Sequence, residues 1–211
     1  MSENVSRLGQ IIVVCAPSGT GKSTLISKLR EEFPNFGFSV SYTTRKPRGD
    51  EQNGREYHFV SRDTFVAMRS QGEFCEWAEV HGNLYGTATQ PVVNMLDQGK
   101  DVLFDIDVQG AKQLKKTFYK GTFIFLLPPS KEELIRRLTS RGTDSEESIS
   151  KRLANAEGEI AEAGFFDYWI INDDLDKAYE ELRAVFVAGA CKPELRTDVE
   201  QIIKKDWGID G

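Results

Sequence analysis

The segment Ala16-Pro17-Ser18-Gly19-Thr20-Gly21-Lys22-Ser23-Thr24 sets small residues, a lysine and hydroxyls in the order that builds a phosphate cradle. An apolar run, Ile11 to Cys15, precedes it, and a helix-forming stretch, Leu25 to Glu32, follows. A strand ending in such a turn lets backbone N–H groups converge on oxyanions, with the positive end of the next helix aimed at the same ligand. Lys22 then reaches the β- and γ-phosphates, and Ser23 offers its hydroxyl to Mg²⁺. Ala16 stands where GxxxxGK[ST] has its first glycine. A methyl group is accommodated there when φ is negative. These residues predict a nucleoside triphosphate site.

Further along, Arg45 and Arg48 lie three residues apart beside Ser41, Tyr42 and two threonines. A planar guanidinium fork matches phosphate bidentately, so the pair suits a second phosphate group. A solvated basic turn balanced by Asp50 and Glu51 is the alternative. Glu76 is a carboxylate inside an apolar, strand-like stretch. Buried and ionised, it needs a donor, which the guanine N1–H and N2–H₂ edge or a structural salt bridge supplies. Asp105 closes the apolar run Val102-Leu103-Phe104. A carboxylate there is the expected second-strand partner of a phosphate loop, organising Mg²⁺ and its waters. Asp107, two residues on, shares a strand face with it, so both are expected to point into one cleft. A satisfied structural pair is the other reading. Arg136, Arg137, Arg141 and Arg152 cluster around a polar stretch, Arg141 to Ser148. They suit a lid that closes on a transferring phosphoryl group, or ordinary helix-surface charge. His58 and His81 have no metal-ligand spacing, and the aromatic group Phe165, Phe166, Tyr168 and Trp169 reads as core.

Positioning these residues falls to elements whose patterns are visible. Val102–Phe104, Thr122–Leu127 and Tyr168–Ile171 resemble buried parallel strands. Helical patterns run from Gln109 to Lys116, Ser130 to Ser140 and Ser148 to Glu162, with Ser130-Lys-Glu-Glu133 as a capping box. Such alternation predicts an α/β fold with helices on both faces of a parallel sheet. Between Ser39 and Gly86 the rhythm changes to short aromatic segments with turn residues, including the hairpin-type Asn53-Gly54. This reads as an inserted mixed β lobe. A helix is expected at Asp198 to Lys205. With 211 residues, 39% hydrophobic and 28% charged, the chain is long enough for one large globular domain. No apolar run approaches the roughly 20 residues of a membrane span, and the start lacks signal-peptide character. Cys15, Cys75 and Cys191 are far apart and fit free thiols in a reducing cytoplasm. A net charge of −6 opposes binding to nucleic acid or acidic membranes.

Taken together, the motifs resemble guanylate kinase, a P-loop nucleoside monophosphate kinase family, from about Gln10 to Val187. The matching stretches are 16–25, 41–48, Glu51 with Asn53-Gly54 and Tyr57, 76–79, 85–87, 105–110, 127–130, 141–144 and 172–174. Bacterial members also carry alanine at the first loop position. The resemblance implies a P-loop NTPase-type parallel sheet core (1–38, 88–135 and 165–190), a GMP-binding lobe (39–87), a helical lid (136–164) and a tail (191–211). It implies Mg²⁺-dependent transfer of the ATP γ-phosphoryl group to GMP, with dGMP and IMP left open. Residues 16–24 and Asn172 would bind ATP, with Ser23, and Asp105 through water, on the metal. Ser41, Arg45, Arg48, Glu51, Tyr57, Glu76, Tyr85, Thr87 and Asp107 would hold GMP. Lys22, Arg45, Arg137, Arg141 and Arg152 would carry catalysis. The family often has serine where Thr87 stands; either supplies a hydroxyl. Rival classes are a peptide-binding module that has lost catalysis and a simple NTP hydrolase. The intact Lys22 and Ser23 speak against the first, and the second basic site against the other. Oligomeric state, a homo-oligomer included, stays open.

Overall fold

The computed structural model describes residues 7–37, 39–80, 82–139 and 146–208. The run Ile11–Cys15 forms β1, buried throughout. It is the middle strand of a parallel sheet, between β7 (Asp101–Asp105) and β8 (Thr122–Leu127), with β2 (Phe36–Gly37) and β9 (Tyr168–Ile171) at the edges. Both faces of the central strands are covered, which is why they read as unbroken apolar runs. Alternate residues serve opposite layers. Val13, Cys15, Phe123 and Phe125 pack with Val92 of α3 (Thr89–Asp97) and Leu114 of α4 (Val108–Thr117). Ile12, Val14, Ile124 and Leu126 pack with Leu25 and Leu29 of α1 (Lys22–Glu32) and Leu182 and Phe186 of α7 (Leu175–Gly189). The doubly covered α/β sheet is the one the sequence predicts.

Residues 39–88 carry a second sheet, ordered β4 (His58–Phe59), β3 (Tyr42–Thr43), β6 (Asn83–Ala88), β5 (Phe74–Val80). It is mixed: β3 pairs parallel with β4 and antiparallel with β6. Asn53-Gly54 therefore does not join a hairpin, because parallel strands cannot be linked by a tight turn. Gly54, at φ 83°, instead turns a loop closed by its N–H donating to the Tyr57 carbonyl at 2.9 Å. The hairpin of the lobe is β5–β6, in register from Val80 and Asn83. Helix α2 (Arg62–Ser70) was not expected among these β-prone segments. Its N-cap is Ser61, whose hydroxyl accepts from the Thr64 N–H at 3.0 Å, and it buries the Phe65 ring against Phe74.

Helices α5 (Lys131–Thr139) and α6 (Glu146–Ala161) pack through Leu134, Leu138 and Ala156. Half of the expected capping box forms: the Glu133 N–H donates to Ser130 Oγ at 3.1 Å. The Glu133 carboxylate is taken by Arg136 and Arg137 at 2.6 and 2.7 Å, since two guanidinium groups outcompete one backbone N–H. Phe166 is core as expected, but Tyr168 and Trp169 are 43% and 59% exposed because β9 is an edge strand. Helix α8 (Thr197–Trp207) lies where a tail helix was predicted. Among the described residues no helix is long and apolar enough to cross a membrane.

Candidate active site

The loop after β1 leads into α1 through Gly19 and Gly21, at φ 90° and 93°. Gly21 is the N-cap and makes no side-chain cap, and the first turn carries no acidic residue. The leading N–H groups of α1 are thus left for a ligand, and the helix dipole favours an anion there. Residues 16–24 line a cavity of about 470 Å³ together with Asp105, Asp107 and Glu159. The Lys22 ammonium meets the Asp105 carboxylate at 2.5 Å. Asn172, 5% exposed, donates its amide to the Thr20 carbonyl at 2.6 Å. A Cβ on Gly21 would stand 2.5 Å from that amide nitrogen, so the loop closes on Asn172 only with glycine there. Asn172, predicted beside ATP, is seen bracing the phosphate loop.

Asp107 departs from the expected strand pair. β7 ends at Asp105, and Asp107 is the N-cap of α4, its Oδ1 accepting from the Gly110 N–H at 2.7 Å. Both carboxylates still line the phosphate-loop cavity. The hydroxyl of Ser23 is exposed beside them. Among the described residues no His, Cys, Asp and Glu cluster forms a metal cage. A phosphate-loop Mg²⁺ needs none, since it takes a hydroxyl, waters and phosphate oxygens, and this donor set fits it.

A second cavity, of about 270 Å³, runs between the core and the lobe and is lined by Ser41, Tyr57, Glu76 and Thr87. Glu76 is 9% exposed. Its carboxyl titrates above the ordinary value, chiefly because burial disfavours the charged form; the Thr87 hydroxyl works against this and Asp107 adds to it. Thr87 Oγ1 donates to Glu76 Oε1 at 2.5 Å, and Ser41 Oγ lies 3.2 Å from Thr87 Oγ1. Thr87 has one proton, so its remaining bond is accepted from Ser41, and a chain of hydroxyls runs toward Glu76. Beside this cavity, Arg45 grips Glu51 bidentately at 2.9 and 3.0 Å. Its guanidinium stands 5.4 Å from the Tyr57 ring centroid. The Arg48 N–H donates to the same Glu51 carboxylate at 2.8 Å. Glu51 is thereby held ionised below its ordinary range, and its oxygens face arginine donors.

On the α5–α6 pair, Arg137 is held by Glu133, whose carboxyl is pulled down to about 2 by Arg136 and Arg137. Arg152 lies on α6. Arg141, predicted with them, lies outside the described residues. The structure adds two groups that the sequence reading passed over. Glu159 shares the phosphate-loop cavity and follows Arg152 by seven residues, two helical turns along one face. Ser39 lines the second cavity with a buried Oγ that has no hydrogen-bond partner among the described residues. Its spacing of two from Ser41 in an extended segment was the signal. Cys15 and Cys75 are excluded from nucleophilic work, their thiols pushed up to about 12 by burial.

The guanylate kinase family model matches residues 8–188. A guanylate kinase of Nitratidesulfovibrio vulgaris is 54% identical, over 95% of this chain and 97% of its own length. One from Oleidesulfovibrio alaskensis is also 54% identical, over 95% and 98%. The crystal structure of guanylate kinase from Anaplasma phagocytophilum superposes with a TM-score of 0.71 at 31% identity, covering 98% of this chain and 99% of that one. The phosphate-loop cavity, the carboxylate-bearing cavity beside it and these likenesses lead to one conclusion: the chain belongs to the guanylate kinase family.

Proposed function

We propose that this chain transfers the γ-phosphoryl group of ATP to GMP, giving ADP and GDP. One observation carries the reading: a buried, hydroxyl-wired carboxylate lines a cavity that shares Asp105 and Ile106 with the phosphate-loop cavity. Residues 16–24 hold the ATP phosphates, with Lys22 on the β- and γ-oxygens and Asn172 keeping the loop in shape. Ser23, and Asp105 through water, would hold magnesium, which would supply neutralisation of phosphate charge. Beside the second cavity Arg45 and Arg48, with Tyr57 and Tyr85, hold the GMP phosphate, and Glu51 sets the arginines in place. The base enters with its N1–H and N2–H₂ toward Glu76 and Asp107. When N1–H takes over Glu76, the Thr87 proton is freed to turn toward O6, and the Ser41 proton with it. Adenine has no N1–H and meets Glu76 with a lone pair, so it is rejected.

The acceptor is already an anionic oxygen, so no covalent enzyme intermediate is needed. Catalysis is positioning plus charge neutralisation by Lys22, Arg137, Arg141 and Arg152. The lobe 39–87 and the lid 136–164 close on the core and keep water from the phosphoryl group. A cytoplasmic enzyme of nucleotide metabolism fits the free thiols. The test is ADP release from MgATP against GMP, dGMP, IMP, AMP, UMP and no acceptor. Turnover confined to the 6-oxopurine nucleotides, fastest with the guanine ones, is expected. Equal turnover without acceptor would make the chain a hydrolase, and turnover with AMP would overturn the role given to Glu76.

A further inference from the structure

Glu159 is the one phosphate-loop carboxylate that nothing above employs. It projects from α6, half-buried, into the cavity lined by residues 16–24. The helix is seated there by Ala156, one turn earlier, which packs with Leu134 and Leu138 of α5. Leu138 in turn lies against the loop, 3.0 Å from where a Cβ on Gly19 would be. Three carboxylates thus surround the single ammonium of Lys22. Two are committed: Asp105 is ion-paired with Lys22, and Asp107 caps α4. The Glu159 carboxylate has no hydrogen-bond or ion-pair partner among the described residues. It feels Lys22 and Asp107 with opposite sign, and burial holds its carboxyl above the ordinary range.

A bare triphosphate brings its whole negative charge against this acidic surplus. A magnesium complex arrives with two compensating charges and a shell of water donors. We propose that Glu159 is a positioning residue by which α6 selects the magnesium–triphosphate complex over the bare triphosphate. Its carboxylate repels uncomplexed polyphosphate and accepts hydrogen bonds from the waters the metal carries. Because Arg152 sits two turns away on the same face of the helix, the bound complex draws α6 and that arginine toward the loop together. The inference rests on reading residues 16–24 as the ATP site.

The experiment is equilibrium binding of ATP, without acceptor and so without transfer to GMP, in excess Mg²⁺ and in EDTA, to wild type, Glu159→Gln and Glu157→Gln. Glu157 is the control: it lies on the same helix but points to Lys131 at 2.6 Å, outside the cavity. In Glu159→Gln, bare ATP is expected to bind about tenfold tighter, the scale of one like charge removed from a cleft. The magnesium complex binds no tighter, so the preference for it narrows by the same factor, and Glu157→Gln keeps the wild-type preference. An unchanged preference in Glu159→Gln, or an equal change in both variants, overturns the proposal. Wild type that binds ATP in neither condition would instead overturn the ATP site.

Discussion

At the residue scale, the proposed function makes Glu76 decide what the second cavity accepts, and its titration gives a direct handle. An ordinary glutamate ionises near 4.5, and burial holds the Glu76 proton above that point in the fold. Between those two values the folded protein binds more protons than the unfolded chain, so the stability of the empty protein falls as pH rises through the window. Guanine reverses the effect, because N1–H and N2–H₂ favour the ionised carboxylate. GMP binding in that window is therefore expected to release a proton. Calorimetric titration in buffers of different ionisation heat measures this, and proton uptake would contradict it. In Glu76→Gln the pH slope should lose the contribution of Glu76, and the proton release should shrink with it. The same change should raise the KM for GMP by about a hundredfold or more while leaving that for ATP within a few-fold.

At the element scale, the ends of strands do the positioning. β1 delivers the phosphate loop, β7 delivers Asp105, and the turn after β9 delivers Asn172 to the Thr20 carbonyl. Asn172→Ala removes a buried donor and leaves that carbonyl unpaired, which costs about 1–3 kcal/mol. The expected signature is a lower melting temperature and a raised KM for ATP, with GMP binding in the absence of ATP unchanged. Equal loss of both nucleotides would show that Asn172 holds more than the loop. Much of this scale was legible in the sequence because its signals are local. Apolar runs closed by a small-residue turn, an aspartate and a proline pair gave β1, β7 and β8, and the order Gly21-Lys22-Ser23 gave the loop. What was missed depends on contacts between distant segments. Helix α2 escaped because its buried face is little more than Phe65, docked on a ring from β5. Asp107 was placed on a strand because its spacing of two from Asp105 fits a strand face, although an aspartate just ahead of a helical pattern is also an N-cap signal. Glu159 looked like one more helix-surface charge until α5 and α6 were seen seated on the loop.

At the scale of the whole molecule, the phosphate-loop cavity lies at the carboxyl ends of β1 and β7, where doubly wound sheets bind their ligands, and the second cavity runs along β7 to meet it. They meet at Asp105 and Ile106, the last residue of β7 and the first beyond it. On the proposed function this shared wall, two residues wide, brings the two phosphates together, with Lys22 ion-paired to Asp105 on it. In-line transfer requires no more than this juxtaposition, provided the lobe and lid close on it. A single molecule joining adenosine and guanosine through a phosphate bridge of transfer length should then fill both cavities at once. Its second half binds at the effective concentration set by the bridge, so affinity should exceed that of either nucleotide by about 10²- to 10⁴-fold. The melting temperature should rise accordingly with the linked compound. Binding no tighter than ATP alone would mean that the cavities do not face each other across Asp105, and the transfer geometry drawn from them would fall.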